Sequence, residues 1–356
     1  MHVDAYLSWL RTALTFAAGG VGGWLFDTLG VPLPWLLGSL LIVAGLGLAG
    51  LPTTAPVRSR QIGQVIAGVA VGLYFTPAVA TQLLALAPAM VACAALSIVA
   101  SIGLSRRLGR AAGVDGTTAY FSSLPGGVAE MAVLAERHGA DTALVALAQS
   151  LRIVCVVLIV PPLITVSGLS GSLDYVPVAL PLRPAVLVGM LVFGFALALV
   201  FNRYRVTNPW LLAGLTVGVA TGFGELPLSR VPEPVIDLSQ LLIGCALGTR
   251  FRRETRVHLR RFIPATVAGT LILMLFNAGL AAALVPLTGR DIATLVLATA
   301  PGGVAEMSIT AKVLQLGVPV VTAFHLTRIL LIILVSDPIY RVARPMLARH
   351  PAAAGD

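Results

Sequence analysis

The sequence has few charged residues, and this scarcity argues against a soluble protein. Asp, Glu, Lys and Arg make up 11% of the 356 residues, whereas a soluble domain has about 25%. Hydrophobic residues make up 57%, and apolar runs long enough to cross a bilayer recur along the chain. The alternating polarity of membrane β-strands is missing. The composition therefore predicts an all-α polytopic membrane protein.

Lysine, cysteine and histidine are also rare, which argues against several further functions. Lys312 is the one lysine, so arginines in short loops carry the net charge of +9 and leave no basic domain for nucleic acid. Cys93, Cys155 and Cys245 lie in apolar segments without disulfide or metal spacing. Among the five histidines, His325 alone lies in an apolar segment, so no cluster of transition-metal ligands is expected. We expect no cofactor, no metal and no nucleic-acid partner.

One seven-residue motif occurs twice, and each copy places a carboxylate in apolar sequence. Pro125–Met131 reads PGGVAEM and returns unchanged at Pro301–Met307, 176 residues later. Pro and Gly disrupt helices, and a broken helix at membrane depth is tolerated where it is buried in protein or lines a cavity. Paired breaks in two halves point to a transporter binding site, although a mere helix kink is the simpler alternative. The breaking residues are Pro125, Gly126, Gly127, Pro301, Gly302 and Gly303.

Other residues repeat at nearly the same spacing, so the chain is a duplicated unit. We predict repeat 1 over residues 1–168, a linker over 169–183, repeat 2 over 184–345 and a tail over 346–356. The matched positions are Pro34 and Pro209, which both begin Pro-Trp-Leu-Leu, Gln64 and Gln240, Asp115 and Asp291, Gln149 and His325, and Arg152 and Arg328.

The positions of the arginines predict that the two halves are inverted in the membrane. Basic loops follow the second and fourth apolar segments of the first half, such as Arg106–Arg110, but the first and third of the second half, such as Arg250–Arg261. Inversion needs an odd number of crossings per half, so we expect five transmembrane helices and one re-entrant broken segment in each. Eighteen of the 24 basic residues then face the cytoplasm. This topology predicts a bacterial inner-membrane protein with both termini cytoplasmic.

The two broken segments are the candidate site. A half-helix that begins after Gly-Gly presents free N–H groups and the positive end of a dipole, and such ends bind anions. Glu130 and Glu306 lie in the first turn of these half-helices. Each carboxylate either caps its helix or binds a proton or a coupling cation.

Polar residues in neighbouring apolar segments complete the candidate site. Arg152 and Arg328 each follow a motif Glu by 22 residues. They either form internal Glu–Arg pairs or clamp a carboxylate or phosphate. His325 is either a hydrogen-bonded core residue or a proton relay. We hypothesise that Glu306, His325 and Arg328 couple an ion, while Arg152 and the two half-helix ends hold the solute. Gln64 and Gln240 either line the cavity or bond to neighbouring helices.

The doubled motif, with Pro-Trp-Leu-Leu in each half, resembles the AbrB-type duplicated membrane-protein family of bacteria over nearly the whole chain. Members are named AbrB family transcriptional regulator or putative ammonia monooxygenase. The resemblance implies a membrane-embedded regulator of gene expression or a membrane monooxygenase. The residues agree poorly with both names, because the longest polar stretch is the 249–261 loop and oxygenase ligands are not clustered. The paired breaks also look like those of inverted-repeat carriers, which is an analogy of fold.

We therefore predict a secondary carrier, not an enzyme, that moves a small anionic solute across the inner membrane. Its expected partners are the solute, H+ or Na+ as coupling ion, and the lipid bilayer, and a homodimer is compatible with the sequence. A membrane-embedded regulator is the first alternative. A membrane monooxygenase is the second and is disfavoured.

Overall fold

The protein is all-helical in the residues that the structure, a computed structural model, describes: 2–169, 181–224, 229–251 and 260–347. These residues form fourteen α-helices and no β-strand. The helices are α1 His2–Thr28, α2 Pro34–Ala49, α3 Val57–Gly72, α4 Pro77–Ala112, α5 Gly116–Ser123, α6 Val128–Arg137, α7 Thr142–Val166, α8 Pro184–Arg203, α9 Pro209–Phe223, α10 Glu233–Gly248, α11 Phe262–Thr288, α12 Ile292–Thr299, α13 Val304–Val313 and α14 Val318–Leu347.

Within the described ranges, five helices are long and apolar enough to cross a membrane, which identifies a polytopic membrane protein. They are α4, α7, α8, α11 and residues Val318–Ala343 of α14. Helices α2 and α9 are also apolar but shorter. Large side chains such as Val192, Phe193 and Leu275 are more than half exposed, as expected of faces that contact lipid.

The sequence predicted a basic loop after the fourth apolar segment, but the structure has no loop at these arginines. Arg106, Arg107 and Arg110 belong to the last turns of α4, which continues to Ala112. Arg is a good helix former, and its charge is favoured near a helix C-terminus. Of the predicted 250–261 basic loop, residues 252–259 lie outside the described residues, as do most of the linker and the end of the tail.

The chain forms two compact units, and each contains elements from both halves of the sequence. The first unit comprises Met1–Leu83, Pro161–Thr255 and Ser308–Pro319, and so holds α1–α3 and α8–α10. The second comprises Leu84–Val160, Arg256–Met307 and Val320–Asp356, and holds α5, α6, α11, α12 and most of α4, α7 and α14. The sequence repeat is therefore not the spatial unit.

Close helix crossings build the first unit. Helix α3 packs on α9, and the equivalent pair α10 and α2 packs likewise. At the first crossing, a Cβ on Gly72 would lie 2.7 Å from the Cα of Gly218, so the two backbones touch. Small residues allow such contact, which gives membrane helices their packing energy.

An aromatic cluster holds α5 within the second unit. Tyr120 and Phe121 are fully buried and pack against Tyr340 of α14, and the Phe121 ring stacks on His138. The Tyr120 hydroxyl donates a hydrogen bond of 3.0 Å to the carbonyl oxygen of Ser336. This packing fixes the helix that leads into the first Pro-Gly-Gly motif.

Candidate functional site

The Pro-Gly-Gly part of each motif lies in a four-residue break between two short helices, and the rest of the motif begins the second helix. Residues 124–127 separate α5 from α6, and residues 300–303 separate α12 from α13. Each leading helix starts at an aspartate cap: Asp115 accepts the Thr118 N–H at 2.9 Å, and Asp291 accepts the Thr294 N–H at 2.6 Å. The two breaks are thus the same local structure, built twice.

The break leaves backbone carbonyls without helical partners, and an arginine satisfies them. Arg152 donates from Nη1 to the Leu124 oxygen at 2.8 Å and from Nη2 to the Gly126 oxygen at 2.7 Å. In the second break Arg328 donates to the oxygens of Ala300 and Gly302, both at 2.5 Å. Buried carbonyls need such partners, and the C-terminal end of a helix favours a cation. Both arginines therefore stabilise the breaks.

The residue three positions before each arginine donates to the end of the leading helix. Gln149 donates from Nε2 to the oxygens of Phe121 at 2.8 Å and Leu124 at 2.9 Å, and its Oε1 accepts from Arg152. His325, fully buried, lies 3.1 Å through Nε2 from the Leu297 oxygen. A carbonyl oxygen only accepts, so Nε2 carries the proton. Nδ1 has no partner among the described residues.

A hydrogen bond between the halves makes the two breaks different. Arg152 Nε donates to the Pro301 oxygen at 2.8 Å, so an arginine of repeat 1 also holds the break of repeat 2. The equivalent Nε of Arg328 is buried and finds no partner within the described part of the chain. The structure therefore brings both motifs and both arginines together in the second unit.

The motif glutamates fold back over their own helix ends. A Cβ on Gly127 would collide with Oε2 of Glu130, and a Cβ on Gly303 would collide with Oε2 of Glu306. Each carboxylate is in the first turn, where the positive end of the helix dipole favours it. Glu306 is 2% exposed, whereas Glu130 is half-buried. This position agrees with a capping role and leaves a second role for Glu306 open.

The arginines bond to backbone oxygens at the breaks. In the described residues, the hydrogen bonds of Arg152 and Arg328 go to carbonyl oxygens and to Gln149. Both side chains are nearly inaccessible, with 3% and 4% exposure. A buried guanidinium that lacks a carboxylate keeps its positive charge available to an anion.

Gln64 and Gln240 belong to the first unit, whereas both breaks and both arginines belong to the second. Gln64 donates from Nε2 to Asn208 Oδ1 at 3.1 Å, at the start of α9. Gln240 donates to Asp237 on its own helix at 3.3 Å. Gln64 therefore bonds to a neighbouring helix, which was one of its two expected roles, whereas this bond of Gln240 stays within α10.

Sequence reasoning missed Gln149 as a site residue, although it had matched Gln149 to His325. The available signal was a polar residue three positions before a buried arginine in an apolar helix, since such residues share a helix face. Among the described residues, no three His, Cys, Asp or Glu side chains group closely enough to hold a metal ion.

Comparison with known proteins identifies one family over most of the chain. A family profile described as "Transition state regulatory protein AbrB" matches residues 35–344. The chain is similar to "Uncharacterized protein YhjN" of Bacillus subtilis (strain 168), with 26% identity over 94% of this chain and 93% of the relative. It is also similar to "Putative regulator AbrB" of Escherichia coli (strain K12), with 25% identity over 87% of this chain and 90% of the relative. The chain belongs to the AbrB family.

Proposed function

We propose that the protein is a secondary carrier that moves a small anionic solute across the bacterial inner membrane. The observation that carries this proposal is the pair of buried arginines, each holding a helix break without a carboxylate partner in the described residues. A fixed positive charge in a low-dielectric interior attracts an anion strongly. Breaks in two matched halves supply the element that alternating access requires.

In this proposal, the arginine beside the first break binds the solute, and residues beside the second break bind the coupling ion. Arg152 bonds to both breaks and is the proposed solute contact. Glu306 and His325 are more deeply buried than Glu130, and both side chains have an atom that can take up a proton. Glu306, His325 and Arg328 are therefore the proposed coupling side, with H+ or Na+ as the ion.

Counterflow in liposomes tests the carrier function. Vesicles with the reconstituted protein are loaded with unlabelled acetate, lactate, pyruvate or succinate, and uptake of the labelled anion is followed. We expect counterflow of at least one anion and its loss in Arg152→Gln, but not in Arg106→Gln, which removes an exposed arginine. Absence of counterflow for all four anions, or undiminished counterflow in Arg152→Gln, would contradict an anion carrier that uses Arg152.

Inverted halves and cytoplasmic termini are part of this proposal, supported by the arginine distribution. Reporter fusions after Ser170 and after Arg349, both outside the described residues, test them. The first fusion should report the outer side and the second the cytoplasm. Reports from the same side would overturn the inverted topology.

A regulatory role is the second candidate, because the Escherichia coli relative is named "Putative regulator AbrB". A regulator would change gene expression through a partner protein and without solute flux. Expression profiles of a deletion strain complemented with wild type or with a flux-deficient Arg152→Gln variant separate the two. Full complementation by that variant would favour regulation.

The absence of catalysis stays a proposal as well. Elemental analysis of the purified protein should find no stoichiometric copper or iron. About one tightly bound atom per chain would favour the monooxygenase alternative instead.

A further inference from the structure

A cavity of about 130 Å³ lies within the second unit, beside the first break. Ser122 and Ser123 at the end of α5 form one wall together with Arg152. The last turns of α4, including Arg107, form a second wall, and α11 with Thr266 and Thr270 forms a third. We infer that this cavity binds a short monocarboxylate. The inference deepens the proposed carrier function, on which it rests, by naming the place and class of its solute.

Two buried hydroxyl groups in the cavity wall lack protein partners. Ser122 and Thr266 are each 5% exposed, and neither Ser122 Oγ nor Thr266 Oγ1 has a hydrogen-bond partner in the described residues. Buried hydroxyls in folded proteins are nearly always satisfied. A ligand with hydrogen-bonding oxygens in the cavity would satisfy both, because a hydroxyl donates to a carboxylate.

The charge of the lining selects an anion. Arg152 lies at the buried end and the exposed Arg107 at the rim, and the lining contains no Asp or Glu. Two guanidinium groups around one small space favour a carboxylate, with which each can form charge-assisted hydrogen bonds.

The size and the remaining wall limit the ligand further. An engineered protein cavity of about 150 Å³ holds benzene, so 130 Å³ admits about six non-hydrogen atoms. Butanoate, lactate and pyruvate have that size. The rest of the wall is largely apolar and includes Leu104, Leu108 and Leu273. It suits the short carbon chain and disfavours the second charge of a dicarboxylate.

The equivalent position in the other half is almost closed. Ala298, Thr299 and Arg328, which match Ser122, Ser123 and Arg152, line a cavity of only about 10 Å³. Met90 stands there at the position that Thr266 holds in the larger cavity, and it fills space. A cavity of that size holds a water molecule at most. One ligand per chain is therefore expected.

Calorimetry on the protein in dodecyl maltoside, which has no anionic headgroup, tests the site. Butanoate, lactate and pyruvate are titrated at constant ionic strength, with butanamide as the neutral isostere and succinate as the larger dianion. We expect one of the three monocarboxylates to bind at about one per chain, and butanamide and succinate to bind far more weakly. Equal affinity for butanamide, or no binding of any of the three, would overturn the inference.

Substitutions in the wall locate the binding. Arg107→Gln should raise Kd about fivefold, since the side chain is exposed. Thr266→Val should raise it about tenfold through the lost hydrogen bond to a charged group. Thr266→Leu should abolish binding by filling the cavity, without lowering the thermal midpoint. Arg106→Gln, which removes the neighbouring arginine outside the cavity, and Ser97→Ala, at the small cavity, are matched controls.

Unchanged binding in both Arg107→Gln and Thr266→Leu would overturn the cavity as the site. The flux assay separates this outcome from failure of the carrier function. Binding at the cavity without flux in liposomes would leave the site and remove the carrier. Flux that none of the cavity variants affects would leave the carrier and remove the site.

Discussion

The two Pro-Gly-Gly breaks share seven identical residues but have different hydrogen-bond networks. In the first, Arg152 and Gln149 together donate to the oxygens of Phe121, Leu124 and Gly126, and Arg152 also reaches Pro301. In the second, Arg328 and His325 donate to three carbonyls, and within the described chain one nitrogen of each side chain has no partner. The supporting helices, not the motif, therefore determine how each break behaves.

The cavities beside the two breaks differ in volume. The first break borders a cavity of about 130 Å³, and the second one of about 10 Å³. The duplicated unit thus contains two versions of one local structure, and differences such as Thr266 in place of Met90 accompany the larger cavity.

Removing each arginine should give the largest loss of stability and tests most directly whether the two breaks differ. Arg152→Met should lower the unfolding free energy more than Arg328→Met, by about 1–3 kcal/mol. Each variant leaves two carbonyl oxygens without a donor, because Leu124 keeps its bond from Gln149, but Arg152→Met also leaves Gln149 Oε1 without one. Thermal midpoints in dodecyl maltoside measure the difference. Arg106→Gln is the control for lost charge. Equal midpoints for the two Met variants would show that the additional bond of Arg152 to Gln149 has no energetic role.

Adding a methyl group at the break glycines should give the next effect. Gly303→Ala should destabilise the protein by about 1–3 kcal/mol by displacing the buried Glu306 carboxylate. Gly127→Ala should cost less, because Glu130 is only half-buried and can move. Each Ala substitution is also measured in the matching Glu→Ala background, where its cost should largely vanish. An unchanged loss of stability in the Glu→Ala background would show that the backbone, not the Glu side chain, opposes the added methyl group.

The aspartate caps should show where the two breaks are alike. Asp115→Ala and Asp291→Ala should each cost about 1 kcal/mol, since each removes one cap of an orphan N–H. Asp115→Asn and Asp291→Asn should keep the cap and cost much less. Thermal midpoints that differ widely between the two Ala variants would show that the helices leading into the two breaks are not equally stabilised by their caps.

Exchanging Gln and His should give the smallest change in stability and the sharpest test of function. His325→Gln should alter the unfolding free energy by less than about 1 kcal/mol, because an amide can donate to the Leu297 oxygen as Gln149 does to Phe121. It should change the dependence of flux on pH, because an amide cannot take up a proton as an imidazole can. Gln149→Asn, at the equivalent position beside the first break, is the control. An unchanged pH profile would exclude His325 from coupling.

Much of this site could be predicted from local sequence. The motif copies, the aspartate caps and the matched arginines all follow from residues a few positions apart, because helix breaks and caps depend on local backbone preferences. The all-α membrane class follows from composition, since the bilayer requires long apolar helices. The end of α4 was misplaced because arginines continue a helix as readily as they begin a loop.

Only the tertiary structure showed which atoms the arginines bind and where a cavity lies beside them. Sequence left open whether Arg152 pairs with Glu130 or clamps a ligand, and its hydrogen bonds go to Leu124, Gly126 and Pro301. The cavity joins Ser122 of repeat 1 to Thr266 of repeat 2, residues distant in sequence. Backbone preferences act over a few residues, whereas contacts between distant helices depend on how whole faces pack, so the first could be read from the chain and the second could not.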